Sequence, residues 1–432
     1  MNRFNRLTLA VAATLATASS AFALQPKDYS AGIRIPERAV IVTGDSARSR
    51  HLVAVLYDTE EFHFSDPSAP RFLFLDREGK VALGIGGRLK GTLQYDFGGA
   101  IDDGASFIPF DIPVPQNPAQ RNQFYGNANH SQIFLQLVGH SKRFGYYQMY
   151  IQTEFSNDGS KRYGLKLKQG YLTVGYVTAG LASSTFVDGS VGTPVIDDQG
   201  PAGEMCRKNV LLRYAPRFNN HFSGAIAAEM PPMSMTPGEQ VTKINQRVPD
   251  IPLYVQYQYG KAKNHVRVSA LLRNLSYRDD AAGKNRFATG WAVQLSGKQN
   301  IYGGLTFLYQ GAYGAGYGSY LNDLSGNGLD LVPSATPGKM HAQRTASFEL
   351  GLRYNVTPSL MLSGTYSQAR ILKQGQLPAT EYHFGQYIAA SAFYSLTSEL
   401  QIGLEYLRGQ RNDFSGESAH ANRIMGLVQF SF

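Results

Sequence analysis

The chain has 432 residues, of which 43% are hydrophobic, 17% charged and 12% aromatic, and it carries 45 glycines and a formal net charge of +9. Soluble domains usually have about a quarter of their residues charged, and high aromatic and glycine content favours strands and turns over helices. Beyond the N-terminus no segment approaches the roughly 18 consecutive apolar residues of a membrane-spanning helix, which excludes a helical membrane protein.

The N-terminus has the three-part layout of a secretory signal peptide. Arg3 and Arg6 precede an apolar stretch at residues 7–18, and small residues follow up to Ala23. We therefore predict a signal peptide at 1–23, cleaved after Ala23, and export of the mature chain. Its removal would leave 39 basic residues against 32 acidic ones, so the exported chain is basic.

Residues 24–79 do not share the pattern of the rest of the chain. Pro36, Gly44, Pro67 and Pro70 interrupt short apolar pieces such as residues 52–56. We predict an N-terminal extension here, either periplasmic or facing the lumen, and the sequence leaves both positions open.

From residue 80 onward the sequence alternates between apolar and polar residues. Leu89, Leu93 and Tyr95, for example, alternate with Lys90 and Gln94, and such a period of two is typical of strands with one apolar and one polar face. We predict an all-β fold, a transmembrane antiparallel up-and-down β-barrel over residues 80–432. Its sixteen strands are expected at 80–97, 128–140, 143–156, 162–175, 176–186, 205–216, 219–230, 251–260, 263–276, 286–298, 301–313, 341–355, 358–371, 382–395, 398–409 and 420–432.

The connections between these strands distinguish a membrane barrel from a soluble sandwich. Short connections, such as 141–142 and 356–357, alternate with long polar or glycine-rich ones, such as 98–127, 187–204, 231–250 and 314–340. Outer-membrane barrels have short periplasmic turns and long external loops, whereas a sandwich has no reason for this alternation. We therefore predict strictly alternating short turns and long loops.

The aromatic residues support the membrane assignment. The final strand alternates up to the terminal Phe432, which resembles the signal read by the outer-membrane assembly machinery. Tyrosines near strand ends predict aromatic girdles at the two membrane surfaces, although strand propensity alone also enriches aromatics. These tyrosines are Tyr146, Tyr147, Tyr163, Tyr214, Tyr254, Tyr257, Tyr259, Tyr354, Tyr394 and Tyr406.

The sequence contains no recognisable catalytic or metal motif. The usual zinc spacings and the Gly-x-Ser-x-Gly elbow are absent, and the nine histidines are scattered. Basic residues occur singly rather than in runs, so nucleic-acid binding is disfavoured. We expect neither a cofactor nor enzymatic activity, and we expect the lone Cys206 to be a small buried hydrophobic residue.

The alternation also assigns charged residues to the lumen. An Arg or Lys on the lipid face at the midplane costs about 2–4 kcal/mol, which confines basic residues to the lumen, loops and ends. The inward acidic positions are fewer than the basic ones, namely Asp96, Glu154, Glu229, Glu349 and Glu405. The inward basic positions, which we expect to line the pore, are Arg88, Lys90, Lys166, Lys168, Arg207, Arg213, Arg267, Arg273, Arg286, Arg353 and Arg423.

The loop 187–204 is the candidate constriction loop. It follows the fifth predicted strand, and its position and length resemble the loop that folds into general porins. Asp197 and Asp198, with Asp188 at the start of the loop, would then face the arginine-rich wall and create a transverse field across a narrow pore.

The middle of the chain resembles the DcaP-like trimeric porins. The similar segments are residues 170–175, 178–188 and 196–203, followed by Arg213 and Tyr214. The specific motif spans 164–216, while the organisation matches over 80–432. The resemblance implies a trimer of sixteen-stranded barrels that takes up small organic anions such as dicarboxylates. One departure is that residues 24–79 lack the heptads of the N-terminal coiled coil that this family often carries.

Together these observations predict an outer-membrane porin for passive diffusion of small hydrophilic solutes, with a preference for organic anions. The expected partners are outer-membrane lipid and lipopolysaccharide, small anionic solutes and two further copies of the chain. Two alternatives stay open, which are an outer-membrane barrel hydrolase and a structural or adhesion barrel with a blocked lumen. A nucleophile constellation would favour the first, and an absence of conductance the second.

Overall fold

The computed structural model describes residues 40–41, 52–53, 56, 72–76, 78, 80–99, 101, 106–157, 163–260 and 264–432. The predicted signal peptide at 1–23 lies outside these residues. Within them, no helix is long and apolar enough to cross a membrane.

The regular secondary structure of the described chain is almost entirely β, with short 3₁₀ turns at Pro109–Asp111, Pro118–Gln120 and Gly318–Tyr320. In chain order the strands are β1 (Val40–Ile41), β2 (Phe72–Leu75), β3 (Val81–Phe97), β4 (Gln123–Asn127), β5 (Ser131–Ser141), β6 (Gly145–Asn157), β7 (Tyr163–Val174), β8 (Val177–Ser183), β9 (Lys208–Tyr214), β10 (Phe222–Glu229), β11 (Val241–Lys243), β12 (Ile251–Tyr259), β13 (Asn264–Asp279), β14 (Lys284–Tyr302), β15 (Leu305–Ala315), β16 (Leu331–Pro333), β17 (Met340–Ala342), β18 (Arg344–Asn355), β19 (Leu360–Ile371), β20 (Tyr382–Ser395), β21 (Leu400–Asp413) and β22 (Ser418–Ser431).

Sixteen of these strands form one closed antiparallel barrel. Each wall strand pairs with its sequence neighbour, and β22 closes the wall on β3, from Asn422 opposite Phe97 to Ser431 opposite Arg88. The predicted sixteen-stranded up-and-down barrel is confirmed. Its wall strands are β3, β5, β6, β7, β8, β9, β10, β12, β13, β14, β15, β18, β19, β20, β21 and β22.

The period of two places apolar side chains outside and polar ones inside. On β3, Leu89 and Leu93 are 61% and 60% exposed on the outer face, whereas Lys90 and Gln94 point inward and are buried. The β7 strand contains a register shift opposite Gln152 and Thr153, so Lys168 and Gln169 follow one another at a bulge. Leu165 and Leu167 remain on the outer face, as the alternation predicts.

The connections follow the predicted rule with three exceptions. One end of the barrel carries only short connections, such as those after β5, β7, β14 and β18, and we name it the short-turn end. The opposite, long-loop end carries the segments 98–130, 184–207, 230–250 and 316–343. Strict alternation is wrong after β6, β13 and β21, where the connections have four or five residues. At β13–β14, for instance, the ladder itself continues to Asp279 opposite Lys284, so the hairpin needs only a tight turn.

Part of the N-terminal extension packs at the short-turn end. The β2 strand pairs with the first residues of β3, from Phe72 opposite Ile85 to Leu75 opposite Ala82, and thereby covers an edge that β22 does not reach. A small buried cluster joins this strand to the barrel and consists of Leu52, Val53, Leu56, Leu73, Leu75, Ala82 and Val138. The predicted boundary between residues 24–79 and 80–432 stays a prediction.

The long loops fill much of the barrel interior. Phe107 and Ile112 from one loop, Phe186 from a second and Tyr320 from a third belong to one buried apolar cluster. Wall residues such as Leu407 complete it. This cluster replaces the sheet-on-sheet core of a soluble β-protein and holds the loops inside the barrel.

Candidate pore and constriction loop

The loop 184–207, which connects β8 to β9, crosses the barrel interior and lies against the opposite wall. At its start, Asp188 accepts hydrogen bonds from Ser296 on β14, at 2.7 Å, and contacts His265 on β13, at 2.9 Å. Farther along, the carbonyl oxygen of Pro194 accepts a hydrogen bond of 2.5 Å from Ser363 on β19. The loop therefore has the inward-folded path that we predicted for a constriction loop.

Two wall carboxylates hold the middle of this loop. Glu349 on β18 accepts hydrogen bonds from the backbone nitrogen and the hydroxyl of Thr193, at 3.1 and 2.7 Å. Glu405 on β21 accepts from the backbone nitrogens of Ile196 and Asp197, at 2.5 and 2.9 Å. Charge-assisted hydrogen bonds of this kind are roughly twice as strong as neutral ones. Glu349 and Glu405 therefore anchor the loop to the wall.

The loop approaches the wall so closely that two positions require glycine. A Cβ on Gly351 of β18 would lie 1.8 Å from the Thr193 hydroxyl oxygen. A Cβ on Gly203 would lie 2.3 Å from the Phe348 carbonyl oxygen. Both distances are far shorter than a van der Waals contact. The loop can therefore pack against the wall only because these two residues have no side chain.

Asp188 fixes the start of the loop as an ionised carboxylate. Its side chain is buried against His265, Ser190 and Ser296 and lies 3.6 Å from the Arg267 guanidinium. Burial opposes ionisation, but Arg267, followed by His265, outweighs it and holds the pKa of Asp188 well below its usual range. Asp188 therefore pairs with the wall rather than with a solute.

The other two loop carboxylates have different environments. Asp198 forms an ion pair with Lys90 of β3, and the same ammonium donates a 2.7 Å hydrogen bond to the Ile196 carbonyl oxygen. Asp197 is buried beside Tyr387, and burial raises its pKa to about 6 even though Arg423 lowers it. Of the two, only Asp198 is partly exposed.

Two predicted pore-lining arginines lie outside the pore surface. Arg273 is fully buried between Asp250 and Asp330, at 2.9 and 3.1 Å. Arg423 is also fully buried and binds both carboxylate oxygens of Asp96, at 2.5 and 2.9 Å. Their assignment to the pore lining is wrong, because long loops cover both side chains, a contact that alternation along a strand does not reveal.

Three further basic residues bind neighbouring protein groups. Arg213 donates from Nε to the Thr185 hydroxyl at 2.8 Å and also binds the Ser183 carbonyl oxygen. Arg267 donates to Gln256 and stacks 4.1 Å above the inward-facing Tyr254 ring, so Tyr254 is not part of an aromatic girdle. Arg286 pairs with Asp279 at 2.6 Å near the tip of the β13–β14 hairpin.

Besides Arg286, five predicted positions keep a partly or fully exposed basic side chain. Lys168 pairs with Glu154 at 2.6 Å. Among the described residues, the Arg88 side chain donates to the His130 carbonyl oxygen and the Arg207 side chain donates to the Asn209 amide oxygen. Lys166 is exposed, and the Nε of Arg353 is without a hydrogen-bond partner in the part of the chain that the structure describes. These side chains are the candidates to meet a solute.

Lys208 is a candidate that the sequence pattern missed. It begins β9, where it is paired with Ser183 of β8, and it interacts electrostatically with Lys168, Glu154 and Glu204. Its position directly after Arg207, where the loop returns to the wall, is the only sequence signal that could have identified it. Glu204 is half-buried nearby, and burial, followed by the charge of Glu349, raises its pKa well above its usual range.

The charge of the lumen is less strongly biased toward basic residues than the pattern of the wall strands predicted. The loops bring in acids that the eleven-to-five count of wall residues omitted, among them Asp188, Asp198, Asp250 and Asp330. Among the described side chains that keep some exposure, the acids are Glu154, Asp198 and Glu204. The cations with some exposure and no carboxylate partner are Arg88, Lys166, Arg207, Lys208 and Arg353.

Cys206 does not have the predicted buried position. It is exposed, and its sulfur lies 3.1 Å from the Asn322 amide oxygen at the end of the loop. Because protein surrounds this part of the lumen, burial, followed by Glu204, raises the pKa of the thiol to about 12.

We expect Cys206 to react slowly with a sulfonated methanethiosulfonate at pH 7 and to react faster as the pH rises. The thiolate is the reactive form, so the rate should increase about tenfold per pH unit from 7 to 10, whereas an unperturbed thiol would level off above about 8.5. Reaction should reduce single-channel conductance, and Cys206→Ser is the control. A rate that levels off near pH 8.5 would contradict this environment.

The environment of the Asp323 carboxyl indicates that the packing of the long loops depends on pH. It accepts hydrogen bonds from the Phe110 nitrogen at 3.0 Å and the Tyr382 hydroxyl at 2.5 Å, and so joins two long loops. Burial raises its pKa to about 7 against the effect of those hydrogen bonds. Because the folded carboxyl holds its proton more tightly than an unfolded one, its contribution is complete below about pH 4 and is lost as the pH rises through 7.

The thermal midpoint in detergent should therefore fall between pH 6 and pH 8. Asp323 alone should account for about 1.4 kcal/mol of the change, the value of one pKa unit. Asp323→Asn should flatten this dependence, because the amide keeps an acceptor without a charge. Glu417→Gln, a change at an exposed loop acid, is the control. An unchanged slope in Asp323→Asn would refute the assignment.

A closed antiparallel barrel with an apolar outer surface and a loop fixed across its interior defines a channel protein of the outer membrane. The model of the Porin subfamily matches residues 91–423, more than half of the chain. The chain belongs to the porin family.

Solved structures agree with this fold. The outer membrane channel DcaP of Acinetobacter baumannii has a TM-score of 0.71 at 17% identity, over 83% of this chain and 99% of that chain. The anion-selective porin from Comamonas acidovorans and the trimer form of OmpT from Vibrio cholerae each have a TM-score of 0.50 at 11% identity, over 82% of this chain and 100% of theirs. No curated protein matches the sequence significantly. The predicted resemblance to DcaP-like porins is confirmed.

Proposed function

We propose that the protein is a porin for passive diffusion of small hydrophilic solutes and that it prefers organic anions such as dicarboxylates. The observation that carries the proposal is the set of partly or fully exposed lumen cations without carboxylate partners. Among the lumen residues that the structure describes, three acids share that exposure, and two of these, Glu154 and Asp198, pair with Lys168 and Lys90.

The positions of these cations suit a solute with two carboxylates. Arg207 and Lys208 stand where the constriction loop rejoins the wall, and Lys166 lies on β7 near the long-loop end. Arg353 of β18 is opposite Ser363 of β19 in the sheet. The Ser363 hydroxyl donates to the Pro194 carbonyl oxygen, so Arg353 lies near the middle of the constriction loop. A carboxylate about 4 Å from such a charge gains roughly 1–4 kcal/mol, depending on the local dielectric.

Planar-bilayer recording tests this function. The purified protein should give discrete conductance steps in KCl, and liposomes containing it should swell faster in succinate than in a neutral sugar of similar size. A protein that inserts without conductance would instead be the structural barrel with a blocked lumen. Equal swelling in both solutes would refute the anion preference.

We further propose a homotrimer, a removed signal peptide at 1–23 and an outer leaflet of lipopolysaccharide around the barrel. The printed description of one OmpT structure as a trimer form supports the assembly. Gly91 and Gly426 also lie on the outer face at the barrel seam, where an added Cβ would meet only one carbonyl oxygen each, at 3.9 and 4.0 Å. Gly87 differs, because a Cβ there would lie 2.5 Å from the Gln132 carbonyl oxygen, so it serves packing within the barrel.

Gly91→Leu with Gly426→Leu should weaken the trimer, since small residues let neighbouring walls approach closely. Native mass measurement in mild detergent should shift from three chains toward one. Gly364→Leu, at another outward glycine with open space around it, is the matched control. Full retention of the trimer by the double variant would place the subunit contact elsewhere.

A further inference from the structure

A shallow apolar groove of about 500 Å³ follows the outer face of β15, β18 and β19. Gly364 forms its floor, where an added Cβ would meet only the Ala389 carbonyl oxygen at 3.7 Å. We name this feature the outer-wall groove. Its sides are Leu305, Phe307, Leu350, Leu352, Leu362 and Tyr366.

Two arginines stand above this groove, toward the long-loop end. Arg370 lies on the outward face of β19, four residues beyond Tyr366, and is opposite Ala346 of β18. Arg344 begins β18 on the same face and is exposed, and the exposed Lys373 follows β19. These three residues form a group that we name the rim cations.

The rim cations lack the partners that other boundary arginines have. Within the described part of the chain, no carboxylate lies within ion-pair distance of Arg344 or Arg370. The Arg370 guanidinium stacks 4.5 Å from the Phe384 ring, and its Nε has no hydrogen-bond partner. Arg278, on the outward face of β13, is by contrast paired with Asp280 at 3.4 Å. A planar guanidinium held by an aromatic ring is suited to bidentate binding of phosphate.

The spacing between charge and groove fits an acylated phosphate. From Arg370 to Tyr366 is about 13 Å along the strand, and the groove continues about another 13 Å to Leu362. On a strand tilted by about 45°, the groove begins about 9 Å below the rim cations and continues to about 18 Å, near the middle of a hydrocarbon layer of about 30 Å. A headgroup at the rim cations would therefore place an acyl chain in the outer-wall groove.

We propose that this face binds a phosphorylated, acylated glycolipid of the outer leaflet. A phosphate lies on Arg344 and Arg370, with Lys373 nearby, and one acyl chain occupies the outer-wall groove. This assigns a site to the lipid partner in the proposed function and depends on the outer-membrane location. It is independent of solute passage, which conductance reports separately.

Native mass spectrometry with bisphosphoryl lipid A as the probe tests the site. Arg344→Gln with Arg370→Gln should reduce lipid A binding by roughly tenfold or more, since each basic residue near an anionic headgroup contributes measurably. Gly364→Leu should also reduce binding by filling the floor of the groove. Arg278→Gln should leave binding unchanged, and all variants should keep wild-type conductance, which shows that the barrel is intact.

Comparison probes identify the ligand. Phosphatidylglycerol and inorganic pyrophosphate should bind more weakly than lipid A, because the first lacks the glycolipid headgroup and the second lacks acyl chains. Equal binding of phosphatidylglycerol would overturn the assignment to a glycolipid. Undiminished lipid A binding in the double variant, or equal loss in Arg278→Gln, would overturn the site. A loss of trimers in Gly364→Leu would show that the groove is a subunit contact and would also overturn it.

Discussion

Replacing Arg273 with methionine is expected to loosen the two loops that it joins. Its guanidinium is fully buried, pairs with Asp250 and Asp330, and donates to the carbonyl oxygens of Gly316, at 2.5 Å, and Pro232. Removing one partner of a buried ion pair costs about 3–5 kcal/mol, because the remaining charges are left uncompensated. The thermal midpoint in detergent should fall, and the loops 231–250 and 316–343 should become sensitive to protease.

The matched control for this prediction is Arg143→Met. Arg143 is exposed in the turn after β5 and stacks on Phe144 at 5.1 Å, so its loss should change the midpoint little, as is usual for surface substitutions. If both variants unfold at the wild-type temperature and resist protease equally, the buried ion pairs do not hold the loops.

Reversing the charges of Arg207 and Lys208 to glutamate is expected to abolish the preference for organic anions. Both residues are partly exposed where the constriction loop rejoins the wall, and neither is paired with a described carboxylate. Each reversal replaces an attraction of about 1–4 kcal/mol with a repulsion at close range. Swelling of liposomes in succinate, relative to neutral arabinose, should fall by roughly tenfold or more.

Distance provides the control for this second prediction. Screening in physiological salt limits such effects to about 8 Å, so Arg143→Glu in the short turn should change the succinate rate little. Arg370→Glu is a second control, because Arg370 lies on the outer face of β19, away from the lumen. Equal effects from Arg207/Lys208 and Arg143 would show that a general surface charge, not the constriction, attracts anions.

The sequence was sufficient to predict the barrel because the signal is repeated along each strand. Alternation at Leu89, Lys90, Leu93 and Gln94 determines which face meets lipid, and the structure has the same faces. The bulge at Lys168 shifts the register by one residue, and Leu165 and Leu167 keep the outward positions that alternation predicts.

The candidate site was harder to predict because its contacts join distant parts of the chain. Alternation places Arg273 and Arg423 inside the barrel, but it cannot show that loops bury them beside Asp250 and Asp96. The same limit applies to Glu349 and Glu405, whose partners are backbone nitrogens of a loop more than a hundred residues away. Lys208 was missed because alternation along the predicted strand 205–216 places it on the face of Val210 and Leu212, which is the outer face.

The most direct test of the central claim is the reversal potential of the wild-type channel in a planar bilayer under a KCl gradient. Unpaired lumen cations, including Arg207, Lys208 and Arg353, predict that chloride permeates more readily than potassium. A channel that favours potassium would contradict the account, because the partly exposed carboxylates Glu154 and Asp198 would then dominate the pore.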